Sequence, residues 1–263
     1  MTRADGLKEE LDQLYLSYNN RKFIHPDPLE FLYDYEDIGD REIAGMIASV
    51  LAYGRVTQIL KSVAPVLKRM TSSPLLFLKE SSPDMLYDTF KDFKHRFTTG
   101  SELSCLLINI KNAIVKYGSL NNCFLQGLRE EDDTTLSAAL NFAKNLNVFT
   151  KNRCNSLIPS PMGGSAFKRL NLYLRWMVRK DNVDPGGWIK VSRSKLIVPL
   201  DTHMHRISLR LGFTGRKQAD IKTALEITDV LREFDKGDPV KYDFALTRLG
   251  MNNIEEVLLK KNI

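Results

Sequence analysis

The sequence predicts an all-α fold, on three observations. Apolar residues recur at three- and four-residue steps through most of the 263 residues, the spacing of a buried helical face. Ser-Pro pairs and aspartates stand where helices would start, and glycines where they would stop. Nowhere between turn signals is there the sustained apolar/polar alternation of a half-buried strand. Ordinary helix lengths then give about ten to thirteen helices, and 43% hydrophobic residues suffice for a sizeable core.

The first helix spans residues 6 to 19 with Leu7, Leu11 and Leu14 inward, and His25-Pro26-Asp27-Pro28 forces an extended connection to a short helix over residues 29 to 33. Asp40 is placed to cap a strongly periodic helix whose core stripe is Ile43, Ile47, Val50 and Leu51, stopped by Gly54. Thr57 restarts the chain through Ile59, Leu60, Val63 and Leu67, with Pro65 a kink. Ser73-Pro74 and Ser82-Pro83 each open a short helix. Over residues 84 to 97, Tyr87, Phe90, Phe93 and Phe97 have the spacing of aromatic core, and His95 reads as a surface residue. Ser101-Glu102 opens a helix that Tyr117-Gly118 closes, a short one covers Leu120 to Leu125, and another follows the acidic turn Glu130 to Asp133.

Residues 163 to 212 organise the rest. Ser165 is placed to cap a helix that buries Phe167, Leu170, Leu174, Met177 and Val178, while Lys168, Leu172, Arg175 and Arg179 form a basic edge beside that stripe. After a loop from Lys180 to Pro199, Asp201 has the N-cap place of a second helix that Gly212 ends. Met204, Ile207 and Leu211 face inward there, and His203, Arg206 and Arg210 share another face. Asp220 caps Ile221 to Phe234, Asp238-Pro239 caps a helix through Phe244 to Gly250, and Asn253 begins the last.

Lys168 is the electrostatic oddity. A cation in a first helical turn opposes the helix dipole by roughly 0.3 to 1 kcal/mol, and a local rule broken without visible compensation is where function is worth seeking. The same field favours a neutral amine, the form a nucleophile needs, with Asp201 able to receive the proton. The ordinary reading of Lys168 is a surface lysine, and that of Asp201 a simple helix cap.

The run Val198-Pro199-Leu200-Asp201-Thr202-His203-Met204-His205-Arg206 resembles the V-D-T-H-x-x-R helix start of the helix-hairpin-helix DNA glycosylase superfamily, in which a preceding helix supplies a lysine. That superfamily's hairpin reads L-P-G-x-G-x-K. Here Pro161-Met162-Gly163-Gly164-Ser165-Ala166-Phe167-Lys168 has two extra residues between glycine and lysine, and the gap from Lys168 to Asp201 is longer than in the endonuclease III type and closer to the archaeal 8-oxoguanine glycosylase branch, whose hairpin is likewise atypical. The chain also resembles an uncharacterised bacterial family. What the resemblance implies is two helical lobes flanking a groove, residues 28–160 forming one and residues 1–27 with 161–263 the other. It further implies Lys168 as nucleophile and Asp201 as its carboxylate partner, with Arg169 the alternative if the register shifts by one.

The implied activity is excision of an oxidised base such as 8-oxoguanine from double-stranded DNA, with abasic-site lyase chemistry open to the same lysine. The alternative is a non-catalytic DNA- or RNA-binding protein on that scaffold. The stretch Ile47 to Gln58 resembles the superfamily's first core helix and following turn, which places Arg55 to enter the base stack. Gly163, Gly164, Ser165, Arg169, Arg175, His203 and Arg206 are the other expected nucleic-acid contacts, and Trp188 an expected wall of the base pocket; Trp176 reads as packing.

Charge alone fits either a polyanionic partner or a solvated helix face, and its concentration around the candidate site favours the partner. The net charge of +6 conceals twelve Lys and Arg against three Asp over residues 161 to 217, and the remainder is slightly acidic. No apolar run approaches a membrane span, and the first residues lack a leader's features, so a cytoplasmic monomer away from membranes is expected. Cys105, Cys123 and Cys154 suggest neither a disulfide framework nor a zinc or iron–sulfur site. His203 and His205 diverge on a helix, so neither metal nor cofactor is expected.

Overall fold

Every residue from Glu42 to Val50 is buried in helix α2 (Ile38–Val50), so α2 is apolar nearly all round and lies at the centre of the molecule. The structure is a computed structural model that describes residues 3–147, 157–158 and 165–251. Around α2 pack a 3-10 segment (Pro28–Asp34) and the helices α3 (Val56–Arg69), α4 (Pro74–Glu80), α7 (Leu120–Leu125) and α9 (Lys168–Val178). Gly45 permits this closeness: a Cβ there would stand 3.2 Å from Leu32 and 3.3 Å from Tyr173. Helices α5 (Pro83–Phe90), α6 (Gly100–Tyr117) and α8 (Leu136–Asn145) extend the bundle, α5 on α6, α6 on α7 and α7 on α8.

Helix α1 (Arg3–Tyr18) packs on α12 (Asp243–Met251), which also packs on α10 (Thr202–Leu211); α11 (Ile221–Phe234) lies between α10 and α12 in sequence. Buried side chains from α1 through α12 form one hydrophobic cluster. Helix therefore dominates, as the sequence predicts. The exception is a short antiparallel hairpin in which β1 (Lys94–His95) pairs with β2 (Thr98–Thr99).

The helix signals of the sequence hold at Ser73, Ser82 and Asp220, whose side chains accept backbone N–H bonds at the starts of α4, α5 and α11. Several boundaries move. Asp37, not Asp40, caps α2; Asp40 is buried and accepts from Ser73 Oγ and the Leu75 amide, both at 2.8 Å. Helix α6 opens with a capping box between Thr99 and Glu102, and α5 stops at Phe90 because the hairpin follows. Phe97 is accordingly 78% exposed at the hairpin turn, outside the aromatic core. His95 is fully buried, with Nδ1 2.8 Å from Ser62 Oγ and Nε2 3.1 Å from the Tyr53 carbonyl oxygen. The helix expected from Asp238-Pro239 begins only at Asp243, and the one expected at Asn253 lies outside the described residues. Cys105 is disulfide-bonded, although the spacing of the cysteines suggests no disulfide framework, and Cys123 is free and buried. Among the described residues no helix is long and apolar enough to cross a membrane.

The candidate active site

A cavity of about 780 Å³ opens where five chain segments meet. These are the turn after α2 (Ala52 to Thr57), the Pro26–Pro28 connection, the first two turns of α9, and the starts of α10 and α12. Lys168 and Asp201 both line it.

Lys168 is the first residue of α9, and Phe167 before it occupies the left-handed region with φ 53° and ψ 25°. That conformation costs a residue with a Cβ roughly 1–2 kcal/mol. Three local contacts and a buried ring hold it. Phe167 N–H donates to Ser165 Oγ at 3.2 Å, Asn171 N–H donates to the Phe167 carbonyl at 2.9 Å, and Asn171 Nδ2 donates to the Ala166 carbonyl at 3.3 Å. Phe167 is 1% exposed. Ser165 therefore sets the bend before the helix instead of capping it, which corrects the placement expected from the sequence.

The cation at this helix start has a compensation that the sequence does not reveal. Lys168 Nζ donates to the Ala52 carbonyl at 3.2 Å, and Arg169 Nη1 donates to the Val50 carbonyl at 2.8 Å. Both acceptors lie at the C-terminal end of α2, where unsatisfied carbonyls and the negative end of the dipole favour cations. The Arg169 guanidinium also lies over the Tyr53 ring, 5.3 Å from its centroid, and burial lowers its pKa. Arg169 does not line the cavity, whereas Lys168 does.

Asp201 caps α10, and its Oδ1 accepts from the backbone N–H groups of His203 at 2.9 Å and Met204 at 2.8 Å, an arrangement worth about 1 kcal/mol. Gly212 ends that helix with φ 76°. Two further carboxyls line the cavity, Asp27 and Asp243. Asp27 accepts from the Leu29 amide at 3.0 Å and pairs with Arg248 at 3.0 Å; burial raises its carboxyl, while Arg248, Arg175 and Lys168 pull it down. Asp243 pairs with Arg175 at 2.5 Å, and burial pushes it up to about 6. Neither carboxyl stood out in the sequence. The one available signal was an aspartate near a helix start, which on its own means only a cap.

Of the other expected contacts, Arg55 and His203 line the cavity mouth and are exposed, and Arg206 is exposed beside His203 on α10. Gly163 and Gly164 lie outside the described residues. Two expectations are corrected. Arg175 is not on a basic surface edge: it is 3% exposed, with Nε and Nη2 on Asp184 and Nη1 on Asp243. Arg179, equally buried, pairs with Asp181, Asp184 and Asp238. These partners come from the following loop and from near α12, so the periodicity of α9 alone could not show them. Trp188 is not a pocket wall. It is 1% exposed, packs edge-on to Tyr173 at 5.3 Å and tilted to Phe124 at 5.5 Å, and donates from Nε1 to Glu42 at 2.7 Å. Trp176, 1% exposed, is core as expected. Among the described residues no cluster of His, Cys, Asp and Glu could hold a metal ion.

The described residues thus form a helical protein in which the Lys168 amine and the carboxyls of Asp27, Asp201 and Asp243 line the same cavity. Over residues 27–252 the chain matches a family described as "Protein of unknown function (DUF2400)", and it belongs to that family. No curated protein matches it, and no solved structure does.

Proposed function

We propose that this protein is a DNA glycosylase that excises an oxidised base such as 8-oxoguanine, with abasic-site lyase chemistry at the same lysine. The observation that carries the proposal is the convergence of Lys168 and Asp201, remote in sequence, on one cavity with Arg55 and His203 at its mouth. In this reading residues 28–160 and residues 1–27 with 161–263 are the two lobes, and duplex DNA lies across the groove between them. Exposed cations such as Arg206 hold phosphates, and the damaged nucleotide turns out of the stack into the cavity. Lys168 Nζ, once its proton has left, bonds to the anomeric carbon as the glycosidic bond breaks and its electron pair departs with the base. The displacement leaves a ring-closed glycosylamine; its nitrogen lone pair then forms the C=N bond as the bond from the anomeric carbon to the ring oxygen breaks and that oxygen takes a proton, giving a Schiff base from which strand cleavage by elimination can follow. The free oxygen of Asp201 steadies positive charge developing on the sugar.

The hydrogen bond from Lys168 to Ala52 supports a second reading, in which the lysine only docks α9 onto α2 and the protein binds nucleic acid without chemistry. Turnover separates the two. Incubated with duplexes carrying single oxidised bases, the glycosylase releases a base and leaves an alkali-labile site, and a binding protein only shifts the duplex with a steep salt dependence. Release of no base from any duplex in the panel would reject the proposal.

A further inference from the structure

Asp243 has an oxygen to spare. It is the first residue of α12, 2% exposed, and its Oδ2 is held by Arg175 Nη1 at 2.5 Å. Its Oδ1 is buried with no hydrogen-bond partner among the described residues, a rare condition for a native polar atom. Arg175 cannot swing across to satisfy it, because Nε and Nη2 are committed to Asp184 at 3.1 and 2.9 Å. Asp201 differs, since its Oδ1 is engaged by two backbone amides. The carboxyl of Asp243 is therefore rigidly oriented, borders the cavity of Lys168, and has one oxygen uncommitted.

We infer that Asp243 Oδ1 is the proton carrier of this cavity, taking the proton that Lys168 Nζ loses and delivering it to the group that leaves the anomeric carbon. The inference rests on the glycosylase reading. The N–H bond of the ammonium breaks with its electrons staying on nitrogen, and an O–H bond forms on Asp243. The freed pair makes the bond from nitrogen to the anomeric carbon. In base excision the pair of the broken glycosidic bond leaves on the base, which then takes the proton from Asp243. At an existing abasic site the leaving group is the carbinolamine hydroxyl, which departs as water with the same proton. Arg175 is a positioning residue that fixes the carboxyl plane.

The charged groups around Asp243 suit this role. Burial is the largest influence, the Arg175 cation of α9 opposes it, and the carboxylates of Asp201 at α10 and Asp184 in the loop add to it, leaving Asp243 at about 6. Lys168, Asp27 and Arg248 share the cavity. A carrier with that value is ready to accept near neutrality and is blocked by protonation below it.

The test is the single-turnover rate of borohydride trapping on duplex DNA with an abasic site, measured from about pH 5 to about pH 9. The unaltered protein is expected to lose rate as pH falls through about 6. Asp243→Asn is expected to trap about 100-fold more slowly at neutral pH and to lose that limb, while still binding the same DNA. Asp243→Glu keeps the charge opposite Arg175, guards against a folding failure of the Asn variant, and is expected to retain the limb at reduced rate. A folded Asn variant with the rate and limb of the unaltered protein, or a Glu variant without the limb, overturns the inference alone. No trapping by the unaltered protein overturns it together with the glycosylase reading.

Discussion

Arg175 Nη1 donates to Asp243 Oδ2 at 2.5 Å, tying the middle of α9 to the first residue of α12. Through Asp184 the same arginine connects to Arg179, and Arg179 continues to Asp238 and Asp181. Two buried cations and four aspartates thus fasten the segment that carries Lys168 to the one that carries Asp243. Removing one partner of such a network strands the others in low dielectric, which typically costs about 3–5 kcal/mol. Arg175→Met is expected to lose that much in urea unfolding; a loss under about 1 kcal/mol would show that the network does not bind these helices together.

Asp243 also makes stability depend on pH. Its folded value of about 6 lies above the ordinary 3.8, so the folded state holds this proton more tightly than the unfolded chain does. The resulting stabilisation is fully present below about 3.8 and is lost as pH rises through about 6. That difference corresponds to about 3 kcal/mol. The stability of the unaltered protein relative to Asp243→Asn should therefore fall by about that amount between acid and neutral pH. A difference that stays constant across the range would contradict the assignment.

Helix type and extent were legible where one short signal decides them. Asp220 and Gly212 do the jobs their positions announce, because a cap or a left-handed stop depends on the residue and its immediate neighbours. Charge was misread on α9. Arg175 and Arg179 have the spacing of a solvated edge, yet long-range partners bury them, and helical periodicity describes a face without saying what packs on it. Phe167 as the left-handed residue before α9 was not legible either, since Ser165 offers the stronger local signal and tertiary burial of the ring decides the outcome. Lys168 and Asp201, both singled out in the sequence, line one cavity, while Asp27 and Asp243 were visible as its neighbours only once five segments had closed on it.

Gly100 tests the junction of the hairpin with the core. A Cβ on Gly100 would stand 1.9 Å from the Phe90 carbonyl oxygen, and backbone cannot yield as a flexible side chain does. Gly100→Ala is expected to destabilise by about 1–3 kcal/mol or more in thermal unfolding, by forcing α5 and α6 apart. An unchanged midpoint would mean that the two helices approach less closely than described.

Trp188 separates core from contact. Trp188→Ala leaves Glu42 without its indole donor and opens a cavity among Phe124, Phe142 and Tyr173, so a loss of about 3–5 kcal/mol is expected. At temperatures where the variant is still folded, its affinity for duplex DNA should match that of the unaltered protein. A selective loss of DNA affinity with stability intact would return Trp188 to the binding surface.

The central claim is that Lys168 is the nucleophile, and borohydride trapping on abasic-site duplex DNA at neutral pH tests it most directly. The unaltered protein and Arg169→Ala are expected to form the covalent adduct, and Lys168→Ala, folded and still binding the duplex, is expected to form none. An adduct that survives Lys168→Ala, or disappears only with Arg169→Ala, would contradict it.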